Sequence, residues 1–136
     1  MQQWLLPTLG TIFFWGIWGF LPKIVVKHIS PNSAIVYETF SSFLVSFIVF
    51  LSLGYNFQND YKGVFFAVLT GLFGAAGAFC FLKAVSCGSV MIIAPLSALY
   101  PIVSCILAVV LLHETLTIKQ CIAVLFSLLS IFLATT

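Results

Sequence analysis

What most constrains this chain is the length and regularity of its apolar runs. Five stretches of mostly apolar residues follow one another at about residues 4–26, 32–54, 63–84, 89–112 and 117–134, with only short polar breaks between them. A helix rises about 1.5 Å per residue, so roughly 20 such residues cross the hydrocarbon core of a bilayer. Backbone polar groups in that core must be satisfied within the segment, which makes runs of this length helices. Composition closes the soluble alternative. Only 6% of the residues are charged and 62% are hydrophobic, against about 25% charged in a soluble domain. The sequence therefore predicts an all-α integral membrane protein: a single domain over residues 1–136, with five transmembrane helices joined by short loops.

The breaks carry boundary signals of their own. In "KHISPNS" Pro31 suits the first turn of the second helix. "YNFQNDYKG" is the only polar loop of any size, and "SCGS" places a glycine stop at Gly88. Thr117 and Gln120 stand at capping-box spacing, so Thr117 should open the fifth helix. Trp4, Tyr55 and Tyr61 fall at run ends, as an aromatic belt would. The N-terminal run lacks a basic leader and a small-residue cleavage site, and reads as a retained span.

Charge is sparse. The net charge of +2 is too small to expect a nucleic-acid partner. Lys23, Lys27 and Lys83 fall on one side of the predicted membrane, Lys62 and Lys119 on the other. The positive-inside rule puts the first group in the cytoplasm, but a three-to-two split leaves insertion in both orientations open. Cys80, Cys87, Cys105 and Cys121 form no CxxC or Cys/His pattern, so no metal or cofactor is expected and the thiols read as packed and inert. There is no HExxH, no GxSxG and no paired aspartate within a run, so no enzyme is expected. His28 lies in a loop, and His113 ends the fourth run beside Glu114.

Helical periodicity of about 100° per residue sorts each run into faces. In the second, Ala34, Glu38, Ser41, Ser42, Val49 and Ser52 share one arc, opposite Phe40, Phe43, Phe47 and Leu51. The phenylalanines should meet lipid. Glu38 should meet protein or water, since an ionised group in hydrocarbon costs roughly 2.5 kcal/mol or more. In the first run Trp15, Gly16, Trp18, Gly19, Pro22 and Lys23 fall within one half; the tryptophans lie near mid-span and read either as packing or as a ligand wall. Ala67, Gly71, Gly74 and Ala78 form a small-residue stripe in the third run, read as a close helix contact. Ala123, Ser127, Ser130 and Ala134 form a similar stripe in the fifth. In the fourth, Ser97, Pro101, Ser104, Cys105 and Ala108 should face a cavity or partner, and Val103, Ile106, Leu107 and Val110 lipid. Pro101 lacks an N–H, so the Ser97 carbonyl loses its helical partner; Pro95 does the same to Met91.

These residues resemble a single EamA domain of the drug/metabolite transporter superfamily, over nearly the whole chain. Trp15-Gly16 followed by Lys23 is similar to the family's early pattern. Pro95, Leu96, Pro101, Glu114, Leu116, Thr117 and Gln120 carry the match to its "PL.AL.P" block and the acid and "LT..Q" that follow. Two departures stand out. Glu38 in "VYETF" stands where many members carry a basic residue, and "LHE" puts His113 where the family usually has glycine. The common family form has ten spans in two inverted halves, so the resemblance implies that this chain is one half of such a plan. It would pair as a homodimer, antiparallel if both orientations insert, or with a sister five-span protein. The function implied is secondary transport of small metabolites, amino acids or drug-like amphipathic solutes in a prokaryotic inner membrane; an accessory or lipid-binding subunit is the alternative. Candidate site residues are Trp15, Trp18, Glu38, Ser42, Ser97, Tyr100 and Pro101. Glu38 is also the candidate for proton coupling, as in the related small multidrug resistance family, unless it forms a structural ion pair with Lys23, Lys27 or Lys83.

Overall fold

The computed structural model describes residues 5–54, 60–115 and 117–135. Trp4, Tyr55 and Leu116 lie outside these residues, as do the side chains of Ser127, Ser130 and Ala134 and hence most of the fifth-run stripe. The described residues form six helices and no strand: α1 (Leu5–Val25), α2 (Pro31–Ser52), α3 (Tyr61–Cys87), α4 (Val90–Ser97), α5 (Tyr100–Leu112) and α6 (Ile118–Thr135). Four segments are long and apolar enough to cross a membrane, namely α1, α2, α3 and Val90–Leu112 taken together. The 18-residue α6 follows them. The chain divides into two compact units, Met1–Cys87 and Gly88–Thr136.

In the first unit the helix ends follow local chemistry. Ser30 caps α2, its hydroxyl accepting from the Ser33 N–H at 3.3 Å, and Pro31 takes the first helical position. The chain leaves α2 through Gly54 at φ 55°, a left-handed turn that costs glycine nothing. Asp60 caps α3, its carboxylate accepting from the Gly63 N–H at 2.8 Å. That cap starts α3 two residues before the apolar run suggests, at Tyr61.

The three helices pack chiefly at one end. Pro22 near the end of α1, Ala34 near the start of α2, and Phe81, Leu82 and Val85 near the end of α3 are buried. α3 touches both α1 and α2. Away from this end the helices expose Leu, Ile, Val and Phe, as a lipid-facing surface requires.

In the second unit α4 packs against α6. The fourth run, expected as one helix, is broken at Ala98–Leu99. Both prolines contribute. Pro95 sits inside α4 and Pro101 opens α5, so the carbonyls of Met91 and Ser97 lose their helical donors. Between them the chain tightens: Ala98 N–H is shared by the Ala94 and Pro95 carbonyls at 3.1 Å, and Leu99 N–H reaches Leu96 at 3.2 Å. The Ser97 hydroxyl donates back to the Ala94 carbonyl at 2.8 Å.

The break splits the expected faces, because one helical wheel cannot serve two helices. Ile102, Cys105 and Ala108 are partly covered within this chain, and Ser97, Pro101 and Ser104 are exposed, open to a partner. Ile106 and Val110, assigned to lipid, line a shallow groove with Cys105, Cys121 and Val124. α5 ends at His113, in the left-handed region at φ 54°. The Glu114 N–H reaches the Ala108 carbonyl at 3.3 Å. The capping box forms as read: Thr117 N–H donates to Gln120 Oε1 at 2.8 Å, and Gln120 N–H to Thr117 Oγ1 at 3.4 Å.

Candidate functional site

Above the packed end of the first unit the three helices leave an open groove of about 900 Å³. One α2 face supplies Ala34, Glu38, Ser41 and Ser42; α3 supplies Gly71, Gly74, Ala75 and Ala78; Trp18 enters from α1. Glu38 is half-buried there. It stands about 10 Å along the helix from Pro31, and it is the only charged side chain among the described lining residues.

The tryptophans part company. Trp18 lines the groove and stacks on Phe81, ring centroids 5.3 Å apart and planes at 27°. It is therefore both a packing residue and part of a wall, the two uses the sequence left open. Trp15 is exposed and not part of the lining.

The small-residue stripe corrects an expectation. Gly71 and Gly74 make no close helix contact: a Cβ built at either position would meet nothing within 4 Å. They form the floor of the groove, because the helices are held together elsewhere, at Phe81, Leu82 and Val85. Phe43, assigned to lipid, lies at the groove's edge.

The α2 hydroxyls are committed within their own helix. Thr39 donates to the Ile35 carbonyl at 2.8 Å, Ser41 to Tyr37 at 2.9 Å and Ser42 to Glu38 at 3.0 Å. Such back-bonding lets serine and threonine sit in apolar surroundings. What they offer the groove is an oxygen lone pair rather than a proton.

Two lysines considered as partners for Glu38 have other contacts. Lys23 Nζ donates to the Val85 carbonyl at 2.7 Å, bridging α1 to the last turns of α3. Positive charge is favoured at a helix C-terminus. Lys83 lies over the Phe79 ring, 4.5 Å from its centroid. Ser97, Tyr100 and Pro101 belong to the second unit, at the break, and are exposed. Sequence reasoning missed Tyr37, Gly71 and Gly74 as lining residues; the alignment of the glycines with Glu38 was visible only once the helices were placed.

A family comparison bears on what this arrangement serves. The model of the EamA-like transporter family matches residues 2–136. The chain belongs to that family. It is therefore an integral, multi-pass membrane protein in contact with lipid, of a family of drug/metabolite transporters. It is similar to an uncharacterized protein of Methanocaldococcus jannaschii, at 25% identity over 120 residues, which cover 88% of this chain and 87% of that protein. No solved structure matches it. His113 holds a left-handed backbone that glycine would adopt without strain.

Proposed function

We propose that this EamA-like protein is a secondary transporter of small amphipathic solutes, with five spans forming one membrane domain. It corresponds to half of a ten-helix inverted-repeat plan and works as a dimer, with a second copy or a sister protein, in the cytoplasmic membrane of a prokaryote. The observation that carries the reading is the groove of the first unit: about 900 Å³, floored by glycine and alanine, with one acid on its wall. An ionisable residue inside a span is a functional candidate by default, because its solvation cost needs a compensating use. Trp18, Glu38 and Ser42 are the proposed solute contacts, with Trp15 one turn away on the same helix. Ser97, Tyr100 and Pro101 form a separate candidate surface at the α4–α5 break. Glu38 exchanges a proton against solute, which would supply the coupling.

The test is uptake into liposomes containing only this chain, across a solute panel, with a proton-sensitive dye. Wild type should couple solute entry to proton movement, and Glu38→Gln should abolish the coupled signal. An unchanged signal in Glu38→Gln removes Glu38 from the coupling role. If the purified chain moves no solute, and a second polypeptide does not restore movement, the accessory-subunit reading replaces this one.

A further inference from the structure

The break between α4 and α5 sets bare backbone oxygen at membrane depth. Pro101 has no N–H to give the Ser97 carbonyl. The Ile102 N–H goes to the Leu99 carbonyl at 2.9 Å rather than back to Ala98. Ala98 holds ψ at 2°, where a helix has about −42°, and this turns its carbonyl out of the α5 ladder. Two consecutive carbonyls thus lose their helical donors. The Ser97 hydroxyl spends its proton on the Ala94 carbonyl at 2.8 Å, so it adds a third oxygen that can only accept. The negative pole of α4 ends at the same point. Ser97 and Ala98 are exposed, and Ala98 lies about 12 Å along the Val90–Leu112 span from Val90. Lipid tails cannot satisfy oxygens at that depth.

From this we infer that the α4–α5 break binds a small alkali cation, sodium-like, through the carbonyl oxygens of Ser97 and Ala98 and the Ser97 hydroxyl oxygen. Carbonyls freed between two half-helices can replace part of an alkali ion's hydration shell, and water completes the rest. The ligand set also selects the charge. Ser97 and Ala98 bring no carboxylate, which calcium and magnesium require. They bring no thiolate or imidazole, which transition metals prefer. Neutral oxygens beside a helix C-terminus suit a single positive charge. The inference goes beyond the transport reading: it concerns equilibrium binding in the second unit, and needs neither Glu38 nor solute movement.

The primary test uses the wild-type chain in phospholipid bilayers, with carbonyl-labelled alanine and nitrogen-labelled leucine. Ala98–Leu99 is the only Ala–Leu step in the sequence, so carbonyl–nitrogen-filtered solid-state NMR reports the Ala98 carbonyl alone. Exchanging N-methylglucamine for sodium at constant ionic strength should shift that resonance along a saturating curve. Binding of radioactive sodium to the purified chain should saturate likewise, displaced by unlabelled sodium and not by N-methylglucamine. Pro101→Ala returns an N–H to the Ser97 carbonyl. It should weaken sodium binding about tenfold, because the cation must then compete with a hydrogen bond. An Ala98 resonance that ignores sodium overturns the inference, as does sodium binding that Pro101→Ala leaves unchanged. Sodium binding that is lost in Glu38→Gln and kept in Pro101→Ala places the ion on the acid of the first unit and overturns it too. The NMR measurement is made on the wild type and does not depend on a variant folding.

Discussion

His113 holds a backbone conformation that costs a residue with a Cβ about 1 kcal/mol or more. It ends α5 where glycine would be free of that strain. His113→Gly should therefore stabilise the protein by about 0.5–1 kcal/mol, the relief being partly offset by glycine's larger unfolded-state entropy; denaturation in mixed micelles measures it. The sequence marks the position only as a departure from the family pattern, and the torsion angle supplies the reason. Serine was harder to read. Ser41 and Ser42 were expected to turn away from lipid because they are polar, and they do line the groove. Yet Ser46 and Ser52 make the same back-bonds, to the carbonyls of Ser42 and Ile48, and are not part of that lining. A hydroxyl satisfied by its own helix has little reason to choose a side.

At the scale of elements, the ends of the helices were the most legible feature. Pro31, the glycine at 88 and the Thr117–Gln120 pair all appear as local signals because capping depends on a few consecutive residues. Asp60 was passed over as one more polar residue in a loop, although it caps α3 through a 2.8 Å bond to the Gly63 N–H. Asp60→Ala should cost about 1 kcal/mol, read as a lower unfolding midpoint in the same micelles, while Asp60→Ser should recover most of it. The break in the fourth run was half legible. The two prolines announce a weakened helix, but where the turns tighten depends on how the backbone re-pairs at Ala98 and Leu99, which no spacing rule fixes. Downstream of that pivot the single-helix reading held for Cys105 and Ala108, which are partly covered, and missed the groove that Ile106 and Val110 line. The α3 stripe failed for a different reason. Small residues permit a close approach without requiring one, and the tight contact lies two turns further along, at Phe81, Leu82 and Val85.

At the scale of the whole molecule, membrane residence and all-helical architecture follow from composition and run length, and family membership agrees with both. A site built from two copies should show mass action. Diluting the protein in lipid should lower uptake per chain if the dimer is the working unit, and leave it constant if one chain suffices; uptake across a series of protein-to-lipid ratios separates the two. Within the first unit, one mechanical property follows from where its contacts lie. The Trp18–Phe81 stack, buried Pro22 and the Lys23–Val85 bond hold α1 by its C-terminal end. From Pro22 to Leu5 the helix is a lever about 25 Å long. A tilt of about 5° at the fulcrum, hardly a change in the packed contacts, displaces the free end by roughly 2 Å. The N-terminal end of α1 can thus swing while the anchor, and the groove wall at Trp18 beside it, stay in place.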